Sequence, residues 1–278
     1  MTPAPSKLEQ KKNFWSGRNH VRFSRRASCS LKARIAAIEI GGRSGFGSLP
    51  FGAPDIDACL PGGGLPLGQW HEFAGVGMEV ETGACTAAFA ALAAAPLARR
   101  GEAVWVLRRD DLFAPGLVGL GFPSERLIQV CARDEAEALA AAEDALATPG
   151  VSAVFAEVDT VDLTAGRRLQ LACEKRGATG FVIHRRPYGG TGGRETGSAA
   201  ATRWKIAPAP SEPGAEEFGL GPPRWRAELE RCRGGRTGAW LLEAADAYTW
   251  EAEHGPHPLR LVAELGDRQL ATAQRLAS

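Results

Sequence analysis

The chain is poor in cysteine and tyrosine, and no charge of one sign dominates it. Its 278 residues include 6 Cys and 2 Tyr. The cysteines lie 26 to 59 residues apart, without a CxxC pair and without histidines at zinc-finger spacing. This spacing argues against a disulfide framework and against a zinc site, and it fits a protein of the reducing cytoplasm. We expect no bound metal.

Long apolar segments are also missing. The longest charge-free apolar run, Thr82–Ala98, is interrupted by Pro96 and is rich in alanine. A membrane-spanning helix needs about 20 apolar residues, so this run predicts a buried helix and no membrane partner. The first residues have no apolar core typical of a secretory signal, which again predicts a cytoplasmic protein.

The near-neutral net charge of +1 hides an uneven distribution along the chain. Residues 1–34 carry nine bases and one acid, and the remaining residues carry 24 bases and 31 acids. A body of net negative charge is not a general binder of polyanions. Any attraction to nucleic acid is therefore expected in the basic arm or in local arginine clusters.

Composition shifts divide the chain into four parts. We predict a flexible basic arm over residues 1–30, a short helix and linker over 31–48, a core domain over 49–250 and a C-terminal appendage over 251–278. Leu31–Ile40 has apolar residues at helical spacing. This amphipathic helix either packs on the core or docks on a partner.

The central part alternates between strands and helices. Strands are predicted at Gln69–Phe73, Ala103–Leu107, Leu127–Cys131, Val151–Glu157 and Gly180–His184, and helices at Thr82–Arg99, Asp134–Ala147 and Ala165–Arg176. These strands are apolar on both faces, which indicates an α/β fold with a mostly parallel sheet flanked by helices. Farther on, Thr202–Ala207 reads as a half-exposed strand, and Arg224–Arg231 with Gly238–Glu243 reads as an antiparallel β-hairpin at one edge of the sheet.

Several segments resemble known proteins. Asp57–Gly75 (DACLPGGGLPLGQWHEFAG) resembles the approach to the phosphate loop of RecA recombinases. Together with WVLRRDDLFAPGL, DEAEAL and RWRAELERCRGG, it makes the chain similar to the ImuA family, RecA-like damage-inducible mutagenesis proteins of bacteria, over about residues 31–270. The resemblance implies a RecA-like fold. The SulA type of division inhibitor is a related family.

The resemblance also places a phosphate loop here, and its sequence is degenerate. A working loop reads GxxxxGK[ST], in which the Lys reaches the phosphates and the hydroxyl holds Mg²⁺. Here a loop predicted from Gly75 to Gly83 is three residues longer and puts Ala84 and Cys85 at the Lys and Ser/Thr positions. Within that loop, two acids, Glu79 and Glu81, would repel a triphosphate. We expect no nucleotide cofactor, and the remnant loop residues are Gly75, Gly77, Thr82, Gly83 and Thr86. Arg99 or Arg109 is the alternative source of a cation.

Three further positions of the family's active site fall on identifiable residues. Glu157 takes the acidic position close to Mg²⁺, and its alternative role is a local hydrogen bond at a strand end. Arg109 takes the position of the general base, which a guanidinium cannot be at neutral pH. His184 takes the position of the glutamine that senses the γ-phosphate, although a lone histidine there is more often structural. These departures predict a protein without catalytic residues.

Single-stranded DNA is a candidate partner. The first DNA loop of the family would be Val158–Thr164, which is short and acidic, and the second would be Pro187–Ala200, which is rich in glycine. Two later strands alternate bases with tryptophans, which indicates either a charged sheet edge or a basic face for nucleic acid or an acidic partner. The candidate DNA contacts are Arg185, Arg186, Tyr188, Arg194, Arg203, Arg224 and Arg226.

The resemblance implies a non-catalytic accessory protein of SOS mutagenesis, or translesion synthesis. Such a protein works as a scaffold with ImuB and an error-prone DnaE-type polymerase, and RecA is a further candidate partner. Leu31–Ile40 and Leu259–Leu276 are the candidate contact segments. The alternatives are a divergent ATP-dependent recombinase that binds single-stranded DNA and a SulA-like inhibitor of division.

Overall fold

A mixed β-sheet with helices on both faces forms the centre of the molecule. The computed structural model describes residues 45–185, 198–213, 219–245 and 256–265, all within one unit that spans 40–278. The predicted basic arm, the Leu31–Ile40 helix and residues 186–197 lie outside the described residues, as does most of the C-terminal appendage. The division of the chain into four parts stays a prediction.

The described residues form eleven strands and four α-helices. The strands are β1 (Ser48–Leu49), β2 (Leu65–Pro66), β3 (Trp70–Gly75), β4 (Glu102–Leu107), β5 (Leu127–Cys131), β6 (Val151–Val158), β7 (Thr179–His184), β8 (Thr202–Ala209), β9 (Arg224–Cys232), β10 (Gly238–Ala244) and β11 (Leu259–Glu264). The helices are α1 (Pro54–Asp57), α2 (Glu79–Ala98), α3 (Glu135–Leu146) and α4 (Leu163–Arg176). A 3₁₀ segment, Ala114–Leu120, follows β4.

The pairing in the main sheet changes from parallel to antiparallel at β8. Among the described strands its order is β11-β10-β9-β8-β3-β7-β6-β4-β5. All neighbours from β8 to β5 are parallel, whereas β8 to β11 are joined by antiparallel pairings. The predicted α/β class with a mostly parallel sheet and an antiparallel hairpin is confirmed. The hairpin is not the edge, however, because β11 pairs with β10 outside it.

Each face of the sheet has its own hydrophobic core. One core contains α2 together with tryptophans from the antiparallel half, and the other contains α3 and α4. The alternation read from β8 and β9 is confirmed, since Trp204 and Trp225 are buried. Both strands have neighbours on either side, so the interpretation of their charged residues as an edge is wrong.

Helix α2 is buried along most of its length. Alanine is the best helix former, and small side chains let the helix lie close against the sheet. The helix begins at Glu79, three residues before the predicted start, because Glu79 and Glu81 are favourable near the positive end of the helix dipole. By length and composition alone it would pass as a membrane span, but 67% of its apolar window is buried inside the protein, as in a core helix.

A buried hydrogen-bond chain starts at His71 on β3. Its Nε2 lies 2.9 Å from the Pro66 carbonyl oxygen, and its Nδ1 lies 2.8 Å from the Thr202 hydroxyl. A carbonyl can only accept, so this network assigns the proton to Nε2 and makes Nδ1 the acceptor. Trp204 Nε1 in turn donates to the Thr202 hydroxyl at 3.0 Å. Burial lowers the pKa of His71 to about 4.

We expect His71 to make the folded state less stable as the pH falls from about 7 to about 5. In the unfolded chain its pKa is near 6.5, so the unfolded state takes up a proton that the folded state refuses, and the loss amounts to about 2 kcal/mol. The variant His71→Gln does not titrate and should show a weaker pH dependence of its urea midpoint. Buried His257, whose pKa burial also lowers to about 4, contributes equally to both proteins. Identical pH profiles would contradict the prediction.

Candidate functional site

The candidate site lies at the carboxyl end of β3, where the chain enters α2. Only Val76–Met78 separate the strand from the helix. The prediction of a loop to Gly83 is therefore wrong, whereas the assignment of motif positions to Ala84 and Cys85 stays a prediction. Counted from Gly75 with the spacing GxxxxGK[ST], the motif positions fall on Val80, Glu81 and Thr82. A carboxylate thus stands where a lysine is needed.

The space between the strand and the helix is closed. A Cβ on Gly75 would overlap Thr82 Oγ1. The Thr82 hydroxyl donates to the Met78 carbonyl at 3.0 Å, and the Thr86 hydroxyl donates to the Thr82 carbonyl at 2.9 Å. A cavity of about 10 Å³ remains, lined in part by Gly77, Gly83 and His184. This volume suits about one water molecule and not a phosphate group.

Arg185 stands at the centre of a group of carboxylates, here called the Arg185 cluster (Arg185, Glu79, Asp111 and Glu157). Its Nε lies 2.7 Å from Glu79 Oε1, and its Nη atoms lie 2.5 Å from Asp111 Oδ2 and 3.1 Å from Glu157 Oε2. The Arg185 side chain is 14% exposed and that of Glu157 is 2% exposed. Arg109 adds a second guanidinium 2.9 Å from Glu79 Oε1. The cluster therefore joins the start of α2 to the ends of β6 and β7.

Burial and the neighbouring charges act in opposite directions on the pKa values of this cluster. Burial raises the pKa of Glu157, and the attraction of Arg185 and a hydrogen bond from Trp105 Nε1 at 3.0 Å oppose that rise. Burial also works against the charge of Arg185, but the surrounding carboxylates hold its pKa above the ordinary value. Glu157 is the penultimate residue of β6 and not its end, and its hydrogen bond comes from Trp105 on β4, 52 positions away, so the structure does not show the predicted local hydrogen bond at a strand end.

A second buried carboxylate, Glu72 on β3, was not anticipated from the sequence. Arg203 Nε lies 2.5 Å from it, the Ser198 hydroxyl lies 2.7 Å from it, and His184 Nε2 lies 3.8 Å from it. Burial raises the pKa of Glu72, but the nearby His184 and hydrogen bonds from Arg203 and Ser198 outweigh it and lower that pKa to about 2. His184 Nδ1 also lies 3.1 Å from the Asp159 carbonyl oxygen. The feature of the sequence that could have indicated this buried carboxylate is the presence of an acid within the predicted strand QWHEF.

An open cleft of about 590 Å³ lies beside the Arg185 cluster. We call it the α2 cleft. One wall is the first half of α2, and the other is the segment from Asp111 to Leu120. Apolar side chains dominate the lining, and they are Val80, Ala84, Ala87, Ala88, Leu112, Phe113, Leu117 and Leu120.

The structure separates the candidate DNA contacts. Arg186, Tyr188 and Arg194 lie outside the described residues. Arg185 is committed to its cluster and Arg203 to Glu72, while Arg224 pairs with Glu212 at 2.9 Å and Glu243 at 2.7 Å. Arg226 lies on β9 with a half-buried side chain, and its Nε has no hydrogen-bond partner among the described residues. These contacts argue against a basic face for nucleic acid on β8 and β9.

The acids of the short first loop have structural contacts. Asp162 caps α4 by accepting from the Ala165 amide at 2.7 Å, and Asp159 pairs with Arg108 at 3.1 Å. Of the alternative cations, Arg109 is paired with Glu79, and Arg99 donates to the Gly121 carbonyl at 2.7 Å. Both guanidiniums therefore have partners within the protein.

Two curated relatives match most of the chain. The proteins named "Protein ImuA" from Caulobacter vibrioides strains NA1000 / CB15N and CB 15 are each 60% identical over 243 residues. The match covers 85% of this chain and 98% of each relative. No family model matches the chain.

Proposed function

The chain belongs to the ImuA family, and from that premise we propose that it is a non-catalytic accessory protein of SOS mutagenesis. It acts as a scaffold for ImuB and an error-prone DnaE-type polymerase, which carries out synthesis across lesions. The observation that carries the proposal is the Arg185 cluster. A protein side chain supplies the cation at the place where a RecA-like enzyme would hold nucleotide and metal.

The electrostatics of the site support the absence of nucleotide binding. A triphosphate would meet Glu79 and Glu81 in the first turn of α2, which offset the favourable helix dipole. The missing lysine removes charge-assisted hydrogen bonds of about 1.5–3 kcal/mol each. Arg185 cannot substitute without leaving Asp111 and the buried Glu157 without a paired cation, and Glu79 would keep only Arg109. The site therefore favours its own internal ion pairs over an anionic ligand.

Hydrolysis is disfavoured for separate reasons. A water-activating base would have to replace Arg109, whose guanidinium is instead paired with Glu79. The Thr82 hydroxyl, which would hold Mg²⁺, donates to the Met78 carbonyl. Glu157 is engaged by Trp105 and Arg185. The recombinase alternative would need all three contacts to be rearranged.

The proposal predicts that the complex with ImuB and the DnaE-type polymerase forms without nucleotide. The chain is mixed with the two purified partners and passed over a size-exclusion column with and without MgATP. We expect the same co-elution in both runs, because the site has no place for the triphosphate. A complex that requires ATP would contradict the scaffold role, and capture of the division protein FtsZ in place of the polymerase would favour the SulA-like alternative.

A direct titration is the control for that experiment. Fluorescent ATP with Mg²⁺ should show no saturable binding up to about 1 mM, which corresponds to about −4 kcal/mol. The variant Glu81→Lys restores the motif's cation but should gain no affinity, because the Arg185 cluster and the Thr82 contact still close the site. Micromolar binding by the native chain would contradict the proposed function.

A further inference from the structure

The strand β5 forms one edge of the main sheet. Among the described strands it pairs only with β4, and that ladder has no bulge. The sequence of β5, LIQVC, contains no charged residue and no proline. Charges, proline and bulges are the usual protection of an edge strand, whose unpaired backbone groups otherwise invite pairing with another chain. β5 lacks all three, and its Ile128 side chain is 49% exposed.

One hydrogen bond shows which backbone groups of β5 point away from the sheet. The Ala132 amide, directly after the strand, donates to the Leu107 carbonyl on β4 at 2.8 Å. Successive residues of a strand direct their N–H and C=O groups to opposite sides, so Ile128 and Val130 also face β4. The other residues of the strand direct these groups outward, and they are Leu127, Gln129 and Cys131.

A second copy of β5 fits this outer side in antiparallel orientation. Full overlap of the two strands about a two-fold axis places Gln129 opposite itself, and opposed outward-facing residues exchange two backbone hydrogen bonds. The Cys131 amide of each copy then donates to the Leu127 carbonyl of the other. The Leu127 amide is already bound to the Ser124 carbonyl of its own chain. The pairing therefore forms about four backbone hydrogen bonds.

The side chains agree with this register. Ile128 of each copy lies opposite Val130 of the other, and opposed β-branched residues stabilise a sheet. Beyond the strand ends, the exposed Glu125 of one copy comes next to Arg133 of the other. Arg133 pairs with Glu137 of its own chain at 3.0 Å, but its side chain is 86% exposed, so the guanidinium has donors left for a second carboxylate.

Shifted registers fit less well. Moving the two-fold axis by one residue in either direction shortens the overlap of the strands. With the axis at Val130, Glu125 lies opposite Glu135 of the other copy, and opposed like charges are destabilising. With the axis at Ile128, the charged Arg126 lies opposite the apolar Val130. Full overlap and charge complementarity therefore occur in the same register, the central one.

We propose that β5 is a homodimer interface, in which two copies of the chain pair their β5 strands antiparallel about a two-fold axis at Gln129. The occupant is a second copy because the outward backbone groups, the length of the strand and the charges at its ends all match those of β5 itself. The two main sheets become continuous across the axis. The inference goes beyond the proposed function and does not depend on it, since no member of the Arg185 cluster lies on β5.

Sedimentation velocity of the full chain over about 1 to 100 µM measures its self-association. We expect a reversible equilibrium between monomer and dimer without larger species, because a two-fold interface closes on itself. Gln129→Pro removes the amide at the axis from both copies, and proline is tolerated where an edge amide faces solvent. This variant should raise the dissociation constant of the dimer by about tenfold or more.

A second variant and a matched control guard against misfolding. Ile128→Lys introduces the charge that edge strands usually carry, so it should keep the fold and weaken the dimer to a similar extent. The control is Val262→Lys on β11, the outer strand at the opposite end of the described sheet, where Val262 is 43% exposed. It should leave self-association unchanged. Circular dichroism checks that each variant is folded.

Cysteine cross-linking tests the register. Gln129→Cys places two thiols across the axis at a Cα separation of about 5.5 Å, which a disulfide spans. Under mild oxidation this variant should give a covalent dimer linked at position 129. The native Cys131 is exposed, but in this register it lies about 13 Å from Cys131 of the other copy. Peptide mapping should therefore find no link between the two Cys131 thiols of the native chain.

Several results would overturn the interface. They are a chain that stays monomeric at the highest concentration, a dimer that Gln129→Pro and Ile128→Lys leave intact, and an equal loss in Val262→Lys. A link between two Cys131 thiols would place the axis elsewhere and would also overturn it. These measurements involve neither ATP nor the partner proteins, so their failure would leave the proposed function as it stands.

Discussion

Replacement of Arg185 by alanine should lower the free energy of unfolding by about 3–5 kcal/mol. Its guanidinium holds together Glu79, Asp111 and Glu157 at distances of 2.5 to 3.1 Å. Glu157 is almost fully buried, so removal of the cation leaves a carboxylate that neither water nor another base can stabilise. Urea unfolding of the native chain and the variant measures the difference.

The matched control is Arg109→Ala. Arg109 contacts the same Glu79 oxygen at 2.9 Å, but its side chain is 50% exposed. Because half of the Arg109 side chain is in solvent, we expect its pair with Glu79 to contribute less, about 1 kcal/mol. The double variant Arg185→Met with Glu157→Gln removes both buried charges and should recover part of the loss. A loss for Arg185→Ala no larger than that for Arg109→Ala would show that the cluster has no structural role.

The pH dependence of the stability of the Arg185→Ala variant tests independently whether Glu157 is the destabilised group. Burial already raises the pKa of Glu157, and loss of Arg185 raises it further. An acid whose folded-state pKa exceeds its unfolded-state pKa gains stability as the pH falls through the folded-state value. The gap in stability between the variant and the native chain should therefore narrow as the solution is acidified. A larger difference in stability at low pH would mean that Glu157 is not the group destabilised by the loss of Arg185.

The pattern of strands and helices was readable from the sequence because it depends on local periodicity. Short, fully apolar runs such as Ala103–Leu107, rich in β-branched and aromatic residues, are typical of interior strands of a covered sheet. The alternation around Trp204 and Trp225 placed both rings in the core, where the structure has them. By contrast, the sequence of the outer strand β11, LRLVAE, has two charged residues in six and fits a strand and a helix alike.

The candidate site was harder to predict because its contacts join distant parts of the chain. Arg185 meets Glu79 and Asp111, which lie 106 and 74 positions away. From the sequence, an arginine at the start of a glycine-rich loop suggested a DNA contact. The start of α2 was misplaced for a different reason, since Gly77 and Gly83 suggested a loop, whereas the two glutamates between them stabilise the first turn of a helix.

The family resemblance and the side-chain contacts describe different properties of this site. The order of strand, short turn and helix at Gly75 is the backbone arrangement that phosphate loops use. The side chains at the same place form internal ion pairs and hydrogen bonds. The strand–turn–helix order at Gly75 therefore bears on the fold. The charges of Glu81 and Arg185 bear on function, and they support the proposed loss of nucleotide binding.

Trp204→Ala should cost about 3–5 kcal/mol of unfolding free energy, a large share of the stability of an ordinary domain. Trp204 is fully buried on β8, the strand where the sheet changes from parallel to antiparallel. Its ring centroid lies 6.5 Å from that of Phe73 in a stacked arrangement, 6.0 Å from that of Phe89 on α2 and 6.1 Å from that of Trp240 on β10. Alanine would leave a cavity that both halves of the sheet share.

The conservative variant Trp204→Phe keeps an aromatic ring but loses the donor to the Thr202 hydroxyl. We expect its loss of stability to be clearly smaller than that of Trp204→Ala, because most of the ring contacts remain. Hydrogen exchange should accelerate in β8 and α2 of the alanine variant and less so in the phenylalanine variant. Equal losses in the two variants would mean that the buried hydrogen-bond chain from Trp204 to His71, and not the aromatic packing, joins the two halves of the sheet.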